Sequence, residues 1–412
     1  MRKGLIGEKL SHSFSKEIHE SLTGTPYELI ELSPQELPAF MTARDFSAIN
    51  VTIPYKQAVI PYLDRISDTA KAIGAVNTIV NRRGMLCGYN TDFGGMCALI
   101  SRIGIDLDGK KVLILGTGGT SLTANAVARH LGAKEVLRVS RTGKDGAVTY
   151  DEMLSDHTDA DVLINTTPCG MFPNSGCPVD IGRFSRLCGV VDAIYNPLRT
   201  PLVRQARARG IPAEGGLFML VMQAVLANEI FTDSSVAPSK AHAIFNAIAA
   251  QKENIVLIGM PGSGKTTVAK LLSEQLHRPW EDTDVQIVQK SGMSISELFA
   301  ECGEATFRDL ESEVIREMSR KNGIIIATGG GAVLREENVD ELRANGKLVF
   351  LDRPVEELLP TADRPLAMTK EAVLSRWRER EVLYRTAADL TVGGEESARK
   401  TAESIIERGG WA

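Results

Sequence analysis

Short apolar runs alternate with helically spaced apolar residues from one end of the chain to the other. This predicts repeated strand–helix units and an α/β fold. The clearest runs are K-V-L-I-L at 111–115, E-V-L-R-V at 135–139, I-V-L-I at 255–258 and I-I-I-A at 324–327. Helical periods follow at 122–131 and 268–276. The alternation breaks near 101–108, and again at the polar stretch A-A-Q-K-E-N, 249–254, which reads as a linker. Three regions result: 1–101, 102–215 and 251–412. The helical stretch 216–248 is expected to pack back on the first.

Composition agrees with that division. A chain of 412 residues exceeds what one core organises, and 43 % apolar content supplies two or three. No run approaches the ~18 apolar residues of a membrane span. The start, M-R-K-G-L-I-G, reads as a strand and not a signal peptide, so a cytoplasmic protein is expected. Net charge is −5; residues 1–250 are nearly balanced and 251–412 are acidic, which leaves no basic footprint for nucleic acid. The six cysteines show no metal-type spacing and read as reduced thiols.

Two glycine-rich turns carry candidate chemistry. G-M-P-G-S-G-K-T-T at 259–267 lies between a strand and a helix and fits the phosphate-binding loop. Backbone N–H groups of Gly262, Ser263 and Gly264 would close around a polyphosphate, with Thr267 beside them. Lys265 would reach the β/γ-phosphates, and Thr266 would face Mg²⁺. The second turn, Gly116, Gly118 and Gly119, follows the strand at 111–115 and opens a helix, the geometry that seats a pyrophosphate. The next strand ends in Ser140-Arg141-Thr142. An arginine there suits a 2′-phosphate, hence NADP(H), with Lys144 as a second cation.

Residues 1–101 hold polar segments in apolar settings: S-H-S-F-S at 11–15, N-V-T-I-P-Y-K at 50–56, G-A-V-N-T at 74–78 and G-Y-N-T-D at 88–92. With N-T-T-P-C-G-M at 165–171, Y-N-P-L-R-T-P at 195–201 and G-L-F-M-L-V-M-Q at 216–223, they resemble the shikimate dehydrogenase family, in order, over residues 1 to about 250. The resemblance implies reduction of 3-dehydroshikimate with NADPH. Lys56 and Asp92 would be the catalytic pair. Ser13, Ser15, Thr52, Asn77, Asp92, Tyr195 and Gln223 would hold the substrate, and Gly216 would line the cofactor. Lys16 and Gly215 depart from common family residues. Quinate dehydrogenase is the close rival; paired Ser13 and Ser15 with Arg141 favour shikimate and NADP.

Beyond the phosphate loop, W-E-D-T-D at 280–284 sets two carboxylates on alternate positions after a strand, so both can point into one site. Arg308 and Glu311 share a helix face. Glycines 329–331 end a buried strand, and Arg364 and Arg380 add cations downstream. This set resembles shikimate kinase over nearly all of 251–412. The resemblance implies that Asp284 binds acceptor hydroxyls as the base, that Arg308, Gly330, Gly331 and Arg380 hold the acceptor, that Asp282 positions Mg²⁺, and that Arg364 belongs to a lid over ATP. That lid is short and lacks the extra arginine common near adenine. The expected fold is an α/β substrate domain plus a Rossmann NADP domain, followed by a P-loop domain like the nucleoside-monophosphate kinases. The expected function is bifunctional, with shikimate made in the first half and phosphorylated in the second. A ligand-binding regulator and a nucleotide-switched scaffold are the alternatives from other classes.

Overall fold

The apolar runs become strands of three sheets in a computed structural model of the chain. The structure describes residues 2–11, 13–144, 146–174, 176–358, 370–393 and 397–411, which form two units, 1–248 and 249–412.

The first sheet is mixed. β1 (Lys3–Gly7), β2 (Glu28–Glu31), β3 (Ala48–Val51), β4 (Arg65–Ile66), β5 (Thr78–Arg82) and β6 (Met85–Tyr89) lie in the order β2-β1-β3-β5-β6-β4. β5 runs antiparallel to both β3 and β6, pairing Thr78 with Asn50 and with Tyr89. The start of β5 therefore meets the ends of β3 and β6 along one rim. Polar side chains expected at the site gather there from three separate segments.

The second sheet is wholly parallel: β7 (Lys111–Leu115), β8 (Glu135–Ser140), β9 (Val148–Thr149), β10 (Val162–Asn165), β11 (Gly189–Asp192) and β12 (Ala213–Glu214), ordered β12-β11-β10-β7-β8-β9. Val112 and Ile114 enter the core on one face while Leu113 and Leu115 enter the other, which is why the run is continuously apolar. Strand order reverses between β7 and β10, the crevice where such sheets bind dinucleotides. The helix Leu217–Thr232 packs on the helices Asp92–Arg102 and Ser15–Thr23 of the first sheet's layer.

The third sheet is also parallel: β13 (Asn254–Ile258), β14 (Trp280–Asp282), β15 (Ile325–Ala327), β16 (Gly346–Leu351) and β17 (Leu390–Val392), ordered β14-β15-β13-β16-β17. Here the expected linker needs correction. The helix Pro238–Lys252 runs through most of 249–254, and Asn254 already begins β13. Asn254 is buried; its amide donates to Lys321 O and its Oδ1 accepts from Ile324 N–H. Polarity alone does not separate a solvated helix end from a loop. The helices after both glycine turns also begin earlier than expected, as Gly119–His130 and Lys265–Leu276.

Candidate active sites

Lys56 lies in the turn after β3, and Asp92 opens the helix after β6. Lys56 Nζ donates to Asp92 Oδ2 at 2.6 Å, with the side chains only 13 % and 9 % exposed. Asn77, just before β5, ties the rim together. Its amide donates to Thr91 Oγ1 (3.0 Å) and Gln223 Oε1 (3.4 Å), and its Oδ1 accepts from Thr91 N–H (2.7 Å). Gln223 reaches in from the late helix. Ser13, Ser15 and Tyr195 form a second group. Ser15 N–H donates to Ser13 Oγ (3.2 Å), while Tyr195 hydrogen-bonds Ser13 and packs on Phe14 with ring centroids 5.1 Å apart. Burial pushes the Tyr195 phenol up. The half-buried Thr52 is pinned by its N–H, which donates to Ile6 O at 2.9 Å.

The glycine turn of the second sheet meets this rim. Gly116 leaves β7 at φ 112°, and Gly118 caps the helix Gly119–His130. A Cβ on Gly118 would meet nothing within 4 Å, so the turn is open to a ligand; a Cβ on Gly119 would stand 3.5 Å from Cβ and Cδ of Lys56. The Lys56 stem therefore rests on the start of the helix that follows the glycine turn. Ser140 Oγ accepts from Gly143 N–H at 3.0 Å, and Arg141, Thr142 and Lys144 are exposed beyond β8. Gly216 donates its N–H to Ile194 O (2.7 Å), and any Cβ there would collide with Ala193 O.

In the second unit, Gly259, Gly262 and Gly264 take φ of 147°, 82° and 91° around the phosphate loop. Lys265 is buried, with Nζ donating to Gly259 O and Met260 O at 2.8 Å each. Ser263 Oγ is buried without a partner among the described residues, which suits a phosphate oxygen. Thr266 Oγ1 donates to Asp282 Oδ2 at 2.8 Å, an all-oxygen pair fitting Mg²⁺. Thr267 continues the first turn of the helix.

The two carboxylates converge differently from expectation. β14 stops at Asp282, whose Oδ1 caps the helix Thr283–Ser291 by accepting from Asp284 N–H at 2.9 Å. Asp284 is thus helical, and a cap, not strand alternation, sets the pair. Glycines 329–331 form the floor between them and the arginines. A Cβ on Gly329 would lie 2.6 Å from Asp284 Oδ1 and 3.0 Å from Glu311 Oε1; one on Gly331 would strike the Arg308 guanidinium. Arg308 Nη1 donates to Glu311 Oε2 at 2.7 Å, and Arg380 Nη1 to Gly330 O at 3.0 Å. Among the described residues Arg380 Nε and Glu311 Oε1 are buried without partners, one donor and one acceptor, as a hydroxylated carboxylate would need. Burial pushes the Glu311 carboxyl up, and Arg308 opposes it. Arg364 lies outside the described residues.

Several participants were not singled out from sequence. Thr91 completes the Asn77 network. Asp192, fully buried at the end of β11, accepts from Thr200 Oγ1 (2.7 Å), Asn165 Nδ2 (3.0 Å) and Ile194 N–H (3.0 Å), and so ties the loop bearing Tyr195 to that after β10. Burial outweighs those bonds and pushes its carboxyl to about 6. A lone polar residue ending each apolar run, V-L-I-N and G-V-V-D, was the available signal.

The chain matches the family model for the shikimate dehydrogenase substrate binding domain over residues 5–79, and that for shikimate kinase over 261–409. It is 36 % identical over 265 residues to the NADP(+) shikimate dehydrogenase of Clostridium perfringens, covering 60 % of this chain and 97 % of that protein. The crystal structure of shikimate dehydrogenase 1 from Peptoclostridium difficile is similar with TM-score 0.57 and 36 % identity, over 60 % of this chain and 98 % of that one. The Thermus thermophilus enzyme, solved in complex with NADP(H) and shikimate, is 30 % identical with TM-score 0.54, over 60 % and 98 %.

Proposed function

Because the chain belongs to the shikimate dehydrogenase family and carries a shikimate kinase domain behind it, we propose that its two sites work in series on one hydroxylated ring acid. The protein is a bifunctional shikimate-pathway enzyme, an NADP-dependent oxidoreductase joined to a kinase that uses ATP and Mg²⁺. Residues 1–101 with 216–248 act as the substrate domain, 102–215 as the cofactor domain and 251–412 as the kinase.

In the first half NADPH supplies a hydride to the carbonyl carbon of 3-dehydroshikimate. Lys56 Nζ gives its proton to the developing alkoxide, and Asp92 holds the ammonium in place. The 2.6 Å, nearly dry Lys56–Asp92 pair on the stem side of Gly119 carries this reading. Ser13, Ser15, Thr52, Asn77, Tyr195 and Gln223 orient substrate. Gly116, Gly118, Gly119 and Gly216 admit the cofactor; Ser140, Arg141 and Thr142 meet its 2′-phosphate.

In the second half Asp284 takes the proton of the acceptor hydroxyl. Arg308, Arg380, Gly330 and Gly331 hold the acceptor, and guanidinium forks suit its carboxylate. Lys265 and the loop 262–267 neutralise the transferred phosphoryl, while Thr266 and Asp282 would hold Mg²⁺. No described helix is long and apolar enough to cross a membrane, and we place the reaction in the cytoplasm with no nucleic-acid partner.

Incubating the full chain with 3-dehydroshikimate, NADPH and MgATP should yield shikimate 3-phosphate by mass. Omitting ATP should stop the reaction at shikimate. Shikimate that accumulates unphosphorylated with MgATP present would refute the kinase half.

A further inference from the structure

We propose that Arg353 is a phosphate contact for nucleotide in the loop 259–267, a role that rests on the kinase reading above. Arg353 follows the end of β16. Its Nη2 lies 3.9 Å from where a Cβ on Gly264 would stand. Gly264 is the left-handed residue that caps the helix Lys265–Leu276, in the turn whose N–H groups face a polyphosphate. The guanidinium thus sits over an anion-binding turn.

Its surroundings commit the neighbouring carboxylate and leave its donors without a partner among the described residues. Asp352 N–H donates to Val392 O at 2.9 Å, and the Asp352 carboxylate pairs with Arg385 at 2.9 Å. A Cβ on Gly393 would collide with Asp352 O, so strand β17 packs closely on this bend. Pro354 restricts the chain on the other side. The neighbouring carboxylate is therefore committed elsewhere. Arg353 is half-buried, yet makes no hydrogen bond or ion pair with any described residue. Arg308 and Arg380, by contrast, are engaged by Glu311 and Gly330 O. A partly dehydrated guanidinium with no carboxylate partner among the described residues is matched by an anion that binds there.

Sheet order says which anion. The acceptor groups Asp284 and the 329–331 floor lie on the β14–β15 side of β13, whereas Arg353 comes from β16 on the other side. Its ligand is the polyphosphate and not the acceptor carboxylate.

The test uses calorimetry on the full chain with MgATP and with magnesium tripolyphosphate, for wild type, Arg353→Ala, Arg353→Lys and Lys265→Ala. Arg353→Ala should weaken both ligands about five- to fiftyfold, the range for one charge-assisted contact in a partly solvated place. Arg353→Lys should recover part of the loss, and shikimate KM at saturating ATP should stay near wild type. Binding of both ligands within twofold of wild type overturns the proposal. So does a loss confined to ATP with tripolyphosphate unchanged, which would make Arg353 a base contact. Wild type that binds neither ligand, with Lys265→Ala no different, would overturn the kinase reading itself.

Discussion

Replacing Arg308 with alanine separates acceptor binding from nucleotide binding, and its magnitude follows from the site's geometry. Arg308 is 10 % exposed and paired at 2.7 Å with Glu311, which is 1 % exposed; its other partner, Glu304, is 54 % exposed and contributes little. Losing one partner of a buried charge-assisted contact costs about 2–5 kcal/mol, or roughly 30- to several-thousand-fold in acceptor affinity. Shikimate KM should rise by that factor, or phosphorylation should vanish, while MgATP affinity by calorimetry stays near wild type. The substitution also strands Glu311. Burial already raises its carboxyl, and Arg308 is the main opposing influence. Without the arginine its folded-state value rises further above the unfolded one. A carboxylate shifted upward binds its proton more tightly when folded, so stability is regained as pH falls and lost as pH rises. The melting-temperature deficit of Arg308→Ala should therefore be larger at pH 8 than at pH 5. The double change Arg308→Ala with Glu311→Gln should remove that pH dependence without restoring shikimate binding. A variant that loses MgATP binding but keeps a normal shikimate KM would refute the acceptor assignment.

Lys56→Ala should lower kcat for reduction about 10²–10⁴-fold with NADPH binding nearly intact; retention of more than about a tenth of kcat would show that another group delivers the proton. Arg141→Asp should shift preference from NADPH toward NADH, read as the ratio of kcat/KM for the two; an unchanged ratio removes Arg141 from the 2′-phosphate. Asp192 sits at about 6 when folded, against ~3.9 unfolded. Its protonation should stabilise the first unit by about 2–3 kcal/mol as pH falls from about 6 toward 4. Asp192→Asn should flatten that part of the stability curve, and an identical pH profile in both proteins would mean the carboxyl is not buried as described.

Local patterning determined a good deal by itself. The runs at 111–115, 255–258 and 324–327 became central strands because residues buried on both faces must all be apolar, whereas 135–139, with Glu135 exposed and only Val139 fully buried, became the half-covered β8. The two glycine turns were legible because positive φ and close backbone approach need glycine at particular spacings, and Gly116, Gly262 and Gly264 take those angles. Arg308 and Glu311 were legible as a pair because helix geometry alone sets i, i+3 contacts. What tertiary structure decided lies between segments distant in sequence. Lys56 meets Asp92 because antiparallel β5 brings the ends of β3 and β6 to one rim, and rests on Gly119 because the glycine turn of the second sheet is carried there. Asp282 faces Thr266 as the cap of the helix that carries Asp284, where only alternate positions after a strand were expected. The committed partners of Asp352, and the place of Arg353 beside Gly264 with no partner among the described residues, depend on β16 lying beside β13 and β17. Spacing along a chain encodes periodicity within one element; which elements become neighbours is decided by sheet order and by what must be buried between them.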